Sequence, residues 1–357
     1  MPVDLGKLKF FLGPAEVVPP GVPNTLDNLE KTIVDYIDGA KDTLDIAVQE
    51  IDSMPIAEAI VRARQRKVSV RIVSEADYLI DDKPAAKPFL PDASLKNEVN
   101  RQIQLALLRA MSWVRTDFNP KIFHQKFIIR DRVSVLTGSA NFTLTDTHMN
   151  LNHLVIIDDK TVTNQYIIEF DEISEGKFGV HSVMMEKKPQ EPVVAGVRVK
   201  VCFSPDHGPE MEIMKQMLKA KLRIDFAIFT FSGSSGIDDT MLALHEKIMI
   251  RGVLDREQGG QVWAATKPLA AAGIELYRAG KIKGIRKLHH KLMVIDDSVT
   301  IIGSFNYTEP ANLYNDENII VLGDRENPTP EQRAIAVAAR EEIDRIIRDH
   351  GTRVQAI

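Results

Sequence analysis

The chain has 357 residues, 44% of them hydrophobic, which is enough to bury two sizeable cores in two lobes of roughly 170 residues each. Lys and Arg number 45 against 50 Asp and Glu, a net charge of -5, which excludes a globally basic nucleic-acid binder. The single cysteine, Cys202, excludes an internal disulfide and reads as a small buried hydrophobe in the strand-like run VRVKVCF.

In chain order, the N-terminus MPVDLGKLKFFLGP has no basic segment followed by a long apolar stretch, and no run approaches membrane-spanning length, so a soluble, cytoplasmic protein is expected. Val- and Ile-rich runs over 44–49, 68–73, 123–129, 134–137 and 153–157 predict strands, and PIAEAIVRARQR (55–66) predicts an intervening helix. Residues 77–95, with three prolines and no counterpart later in the chain, predict an extended loop near the site; its Leu79, Ile80, Phe89 and Leu90 are expected to pack inward, with contact to a base or to a lipid as the alternatives. The polar, proline-bearing stretch MEKKPQEPVVAG marks the boundary, giving a first lobe over 1–185, a linker over 186–196 and a second lobe over 197–357. The second lobe repeats the order of the first. It closes on TPEQRAIAVAAREEIDRIIRDH (329–350), a helix with a Thr cap and Pro in its first turn.

Two segments obey one pattern. HQKFIIRDRVSVLTGSAN places His124, Lys126, Asp131, Gly138, Ser139 and Asn141; HHKLMVIDDSVTIIGSFN places His289, Lys291, Asp296, Gly303, Ser304 and Asn306 at the same spacing, 165 residues on. Six fixed positions recur by chance on the order of once in tens of millions of starts. The chain therefore contains a duplicated unit. On a strand, positions i and i+2 share a face, so His124 points with Lys126 and His289 with Lys291, while Gln125 and His290 face the other way. His290 is thus read as structural, His153 as an ordinary strand residue, and His148, His181, His207, His245 and His350 as unpartnered background. The glycine before each G-S-x-N serine allows close backbone approach, and the Asn amide can donate to a phosphate oxygen.

This H-x-K-x4-D-x6-G-S-x-N pattern resembles the phospholipase D superfamily, the HKD phosphodiesterases, and the likeness extends to TLDIAVQEI with RIDFAIFTF, VSVRIVSEAD with IMIRGVLDRE, and LVIID with IIVLG. The resemblance implies an α/β fold of two homologous lobes, each a mixed, largely covered sheet flanked by helices, related by a pseudo-twofold axis. A complete site is implied within one chain, whatever the oligomeric state. It further implies that Asp131 and Asp296 support the motifs from within, as do Gly138, Ser139, Gly303 and Ser304, and that one His forms a covalent phosphohistidine while the other acts as acid and then base. No cofactor and no metal are expected, because the sequence shows no cluster of His, Asp and Glu at metal-site spacing.

The chemistry needs two histidines in different protonation states, with Lys126, Lys291, Asn141 and Asn306 offsetting charge on the phosphate oxygens. In single-motif nucleases of the family a glutamate lies 28 residues beyond the motif His; that position is Asn152 in the first half and Glu317 in the second. Pairing each within its own half gives His124 with Asn152 as nucleophile and His289 with Glu317 as general acid, since a carboxylate favours imidazolium and an amide only orients the ring. Asn150 and Asp316 are the substitutes if the register is off.

For the substrate, the basic run RAGKIKGIRKLHHK, with Lys281, Lys283, Arg286 and Lys287, predicts a track for a polyanion. The stretch over 199–231 also looks like the compact endonuclease and cardiolipin-hydrolase branch. The expectation is a nuclease acting on DNA or RNA. The alternative is a phospholipase D-type hydrolase or phosphatidyl transferase acting on phospholipid, and a third reading is a non-catalytic nucleic-acid-binding module.

Overall fold

The computed structural model describes residues 3–15, 26–182, 188–281 and 284–355. Helices form where apolar side chains recur at helical spacing behind a capping residue. In Leu29–Asp38 the buried positions are Leu29, Ile33, Tyr36 and Ile37, and Asn28 accepts from the Lys31 N–H. Met54–Gln65 starts at Ser53 with Pro55 in its first turn. Pro330–His350 is fixed by a reciprocal box, Thr329 bonding the Gln332 N–H and Gln332 bonding that of Thr329.

Each half contributes a nine-stranded mixed sheet. The first runs Val3–Asp4, Leu8–Gly13, Asn150–Ile157, Ser134–Gly138, Lys126–Arg130, Thr43–Val48, Ser69–Ser74, Trp113–Thr116, and takes Lys287–Leu288 from the second half onto Asn150–Ile157. The second runs Thr352–Arg353, Glu275–Ala279, Met249–Asp255, Arg223–Ile228, Lys291–Ile295, Val299–Gly303, Glu317–Leu322, Val197–Ser204, Val193–Val194. The central strands are buried on both faces, which is why they read as continuous apolar runs without alternation.

Composition allowed two cores; the structure has three. One lies behind each sheet, and the third is shared, with Phe127, Tyr166 and Phe170 of the first half packed with Phe203, Leu288 and Ile320 of the second. The predicted linker also differs from what is seen. Residues 183–187 lie outside the described residues, but Val193–Val194 pairs with Val197–Arg198 and so belongs to the second sheet. Cys202 is buried in the second-lobe core, and burial pushes its thiol up to about 12.

The segment over 77–95 departs most from expectation. Phe89 is 98% exposed, Leu90 61% and Ile80 64%, so these side chains do not pack inward, and Leu79 is only half-buried. The loop is held by polar groups instead. Asn97 donates to the carbonyls of Asp77 and Ile80, and Asp81 accepts from the Asn97 N–H and from Arg101.

Both motif aspartates sit in hairpin turns with consecutive left-handed residues, Asp131 and Arg132 at φ 53° and 54°, Asp296 and Asp297 at 52° and 48°. The Asp131 carboxylate accepts from the N–H groups of Lys41, Asp42 and Thr43; that of Asp296 accepts from Lys221, Leu222 and Arg223. Each ties the motif hairpin to the loop ahead of the neighbouring strand. Replacing Asp131 by Ala strands those donors and puts a residue poorly suited to left-handed backbone in the turn. A loss of about 1–3 kcal/mol is expected in chemical denaturation.

Candidate active site

Each H-x-K segment begins on the opposite lobe. The His124 N–H donates to the carbonyl of Asp316 at 2.9 Å and that of His289 to the carbonyl of Leu151 at 2.9 Å. Phe123 bridges to Asp316, and Lys287 and Leu288 pair with Asn150 and Leu151. Two residues later each chain joins its own sheet, Lys126 opposite Val48 and Lys291 opposite Ile228. This crossing corrects the partner assignment. His124 Nδ1 lies 2.6 Å from Oε2 of Glu317, and His289 Nδ1 lies 3.0 Å from Oδ1 of Asn152, so each ring is held by the other half. A count along the sequence finds the right residues but attaches them to the wrong rings.

The Asn152 amide is fixed by its own bonds. Its Nδ2 donates to the carbonyl of Asp146 at 2.9 Å, and its Oδ1 accepts from Ser139 Oγ at 2.7 Å as well as from His289. His289 therefore carries its proton on Nδ1 and leaves Nε2 bare. The Asp146 carboxylate also approaches His289 Nδ1, at 3.6 Å, but it accepts from the Asn141 N–H and from Asn150 Nδ2. Asp316, the substitute partner, instead accepts from Asn119 and from the Gly179 N–H.

Glu317 is fully buried; burial pushes its carboxyl up to about 8, against the pull of the nearby lysines. Burial, with the charges of Lys126 and Lys291, lowers His124. Charge is costly on either member alone, so near neutral pH the pair holds one proton beyond the carboxylate and neutral-imidazole state. Whether that pair is carboxylic acid with imidazole or carboxylate with imidazolium, His124 Nε2 bears a hydrogen. His289 is also lowered, by burial first and then by Lys291 and Lys126.

Both rings, with Asn141, Asn306 and Glu317, line one cavity of about 840 Å³ between the lobes. Lys126 and Lys291 are buried beneath them, and each Nζ donates to the carbonyl of its own motif histidine, at 2.9 and 2.8 Å. Desolvation lowers Lys126 to about 8 and, with the charge of Lys126, lowers Lys291 as well. Ser139 Oγ and Ser304 Oγ accept from the N–H groups of His153 and Asn318, and a Cβ on Gly138 or Gly303 would come within 2.2 Å of a carbonyl of those same residues. Of the basic run, Arg286 and Lys287 reach the cavity. Lys281 is exposed and pairs with Glu257, and Lys283 lies outside the described residues.

Several residues escaped the sequence. Gln49, Glu50, Asp52, Tyr78, Asp146, Phe229 and Trp263 line the cavity from outside the motifs. Only the alignment of the halves, which sets Gln49 and Glu50 against Phe229 and Thr230, could have pointed to some of them. Among the described residues, Glu169, Glu172 and Asp206 converge within 4.8 Å of one another away from this cavity, a proximity made by tertiary contact and invisible in spacing; Glu169 accepts from Gln125, and Ser182 bridges the other two. Histidines read as background have partners too, His148 with Glu30, and His207 with the Phe203 N–H.

The family model described as "Cardiolipin synthase, PLD-like domain" matches residues 33–174 and 213–346, more than half of the chain. The chain belongs to that family. A mitochondrial cardiolipin hydrolase of Xenopus laevis is 29% identical over 38% of this chain and 63% of its own length. A phospholipase D of Rickettsia felis is 31% identical over 36% and 63%. The chain thus matches less than two thirds of these relatives' lengths. Crystallised phosphatidylserine synthase of Haemophilus influenzae shares the fold, with a TM-score of 0.67 and 13% identity, covering 99% of this chain and 88% of that one.

Behind the motifs, His290 and His153 meet edge to edge across the lobe interface, with parallel ring planes 1° apart and Nδ1 atoms at 3.1 Å. His153 Nε2 accepts from the Gly303 N–H and His290 Nε2 contacts Glu342, so both rings are satisfied when neutral. Burial lowers both; Arg345 and Lys291 add to this for His290, against Glu342, and Lys291 adds to it for His153. The pseudo-twofold counterparts, Asn318 and Gln125, form the same contact with amides at 2.8 Å. A histidine held neutral in the fold takes up protons only when unfolded. Stability is therefore intact above an unfolded pKa of about 6.5 and falls below it by up to about 1.4 kcal/mol per pH unit for each ring. The double variant His153→Asn, His290→Gln copies the amide pair and should flatten the loss of unfolding free energy between pH 7 and 5.

Proposed function

We propose that this chain is a phosphodiesterase acting on phospholipids through a covalent phosphohistidine, with His289 as nucleophile and His124 as general acid. The observation that carries the reading is the crossed pairing in one cavity, which gives one imidazole a bare Nε2 and the other a protonated one. The role assignment made from the sequence is thereby reversed, by the same argument applied to the partners the rings have. His289 Nε2 attacks phosphorus and forms the P–N bond as the P–O bond to the headgroup breaks; the departing oxygen takes the proton of His124 Nε2. His124 then accepts a proton from water, whose oxygen displaces His289 and releases the phosphatidyl group. Asn141 and Asn306 flank the phosphate, and the buried lysines offset its growing charge from below.

Phospholipid is favoured over nucleic acid by two facts besides the relatives' names. The loop that carries the exposed Ile80, Phe89 and Leu90 begins at Tyr78 on the cavity wall, and on the other lobe Val262, 91% exposed, stands beside Trp263, which lines it. Exposed apolar side chains on a loop that leaves the cavity wall, and on Val262 beside it, fit a lipid interface. Moreover Glu50, Asp52 and Asp146 line the cavity among Lys96, Arg286 and Lys287, so it is not the continuous basic track that a polyanion needs. The third reading, a binding module without chemistry, has no decayed motif to support it.

Incubation with phosphatidylethanolamine, phosphatidylglycerol, DNA and RNA in EDTA should release headgroup from lipid and leave the polymers intact. Polymer cleavage without headgroup release would refute the lipid reading. Quenching in alkaline denaturant, in which the acid-labile P–N bond survives, followed by mass spectrometry should place the phosphoryl adduct on His289, and an adduct on His124 would refute the roles. Loss of the pair's proton removes the acid, so kcat should fall as pH rises past about 8. In Glu317→Gln that alkaline limb should move to lower pH, because burial and the lysines hold the imidazole's own proton loosely.

A further inference from the structure

The duplicated motifs make the centre of the cavity nearly symmetric, but its flanks are not. Along the alignment of the halves Glu50 stands opposite Thr230, Asp52 opposite Ser232 and Asp146 opposite Ala311. Every lining acid outside the motif partners therefore comes from the first lobe, whereas Arg286 and Lys287 come from the second. Asp146 is saturated by Asn141 and Asn150, and Asp52 accepts from the Leu144 N–H at 2.7 Å. Glu50 is different. Among the described residues its carboxylate accepts one long bond, from Asn100 at 3.5 Å, and it forms no ion pair. Burial, with Asp52 and Asp146, pushes it up to about 7, as expected of a carboxylate that lacks a counter-cation. Lys126 pulls the Glu50 carboxyl down through space without offsetting its burial, and it makes no ion pair with it: its Nζ bonds the His124 carbonyl, and Lys96 makes no ion pair among the described residues.

A second observation is independent of charge. Asn150 lines the same cavity and is 3% exposed; its Nδ2 is committed to Asp146, which leaves its Oδ1 without a donor. Asn141 Oδ1 and its second-lobe counterpart Asn306 Oδ1 have none either and do not distinguish the flanks, which leaves Asn150 as the acceptor peculiar to the first lobe. Buried acceptors beside an uncompensated carboxylate call for a ligand rich in N–H or polarised C–H donors.

We infer that this first-lobe flank, centred on Glu50, is a subsite for the ammonium group of an amino-alcohol headgroup. The inference rests on the phospholipid reading and narrows it: a zwitterionic headgroup lays its phosphate between the two imidazoles and its cation against Glu50, while the basic and aromatic flank of the second lobe faces the diacylglycerol side.

The test compares kcat/KM on mixed micelles of phosphatidylethanolamine and of phosphatidylglycerol, for wild type, Glu50→Gln, and Glu50→Thr, which installs the residue of the opposite flank. Wild type should prefer the ethanolamine lipid at least tenfold, and both variants should lose that preference at least tenfold while melting within a few degrees of wild type. Equal rates on the two lipids in wild type, or an unchanged ratio in a folded variant, overturns the subsite and leaves the phospholipid reading standing. Absence of hydrolysis of either lipid by wild type overturns both.

Discussion

The exchange of main-chain hydrogen bonds at the start of each H-x-K segment is the constraint on which the rest of the site depends. A chain entering its motif first lies against the strand of the opposite lobe, then turns into its own sheet within two residues. The imidazole between those two attachments has no choice but to meet a side chain of the other half. The arrangement also makes the lobes inseparable: the core between the sheets is built from both, and Gln125 bonds the Glu317 carbonyl across it.

Burial then converts a symmetric layout into complementary chemistry. Four ionisable motif side chains and Glu317 share a water-poor interior, where none can carry charge cheaply. The difference between a carboxylate at position 317 and a carboxamide at 152 decides where protons reside. One ring keeps a proton on the nitrogen facing the cavity, and the other exposes a lone pair. Duplication supplied two similar motifs, and a single Asn for Glu difference gives their two rings different hydrogen-bond partners.

The same logic extends outward. The motif residues at the centre of the cavity are matched between the halves, whereas its flanks differ, Glu50 standing opposite Thr230, Asp52 opposite Ser232 and Asp146 opposite Ala311. Acids outside the motif partners gather on the first-lobe side, while two of the three lining cations outside the motifs, Arg286 and Lys287, and the aromatics Phe229 and Trp263 stand on the other, which gives the cavity a polarity that the motifs lack.

Fold class and the identity of both H-x-K pairs were legible in the chain, because strand period, turn chemistry and spacing are local properties. The capped final helix and the buried Cys202 were legible for the same reason. What the sequence could not show was everything set by pairing between distant segments. Asn152 and Glu317 were found by counting, but their partners depended on which sheet the preceding residues joined. Phe89 and Leu90 looked like core by composition and stand in solvent, because Asn97 and Arg101 anchor the loop without them. His148, which seemed alone, acquires a partner over a hundred residues away in Glu30. Local preferences are written along one dimension. Proton positions, and with them the division of labour between two equivalent histidines, arise only when the halves close on each other and exclude water.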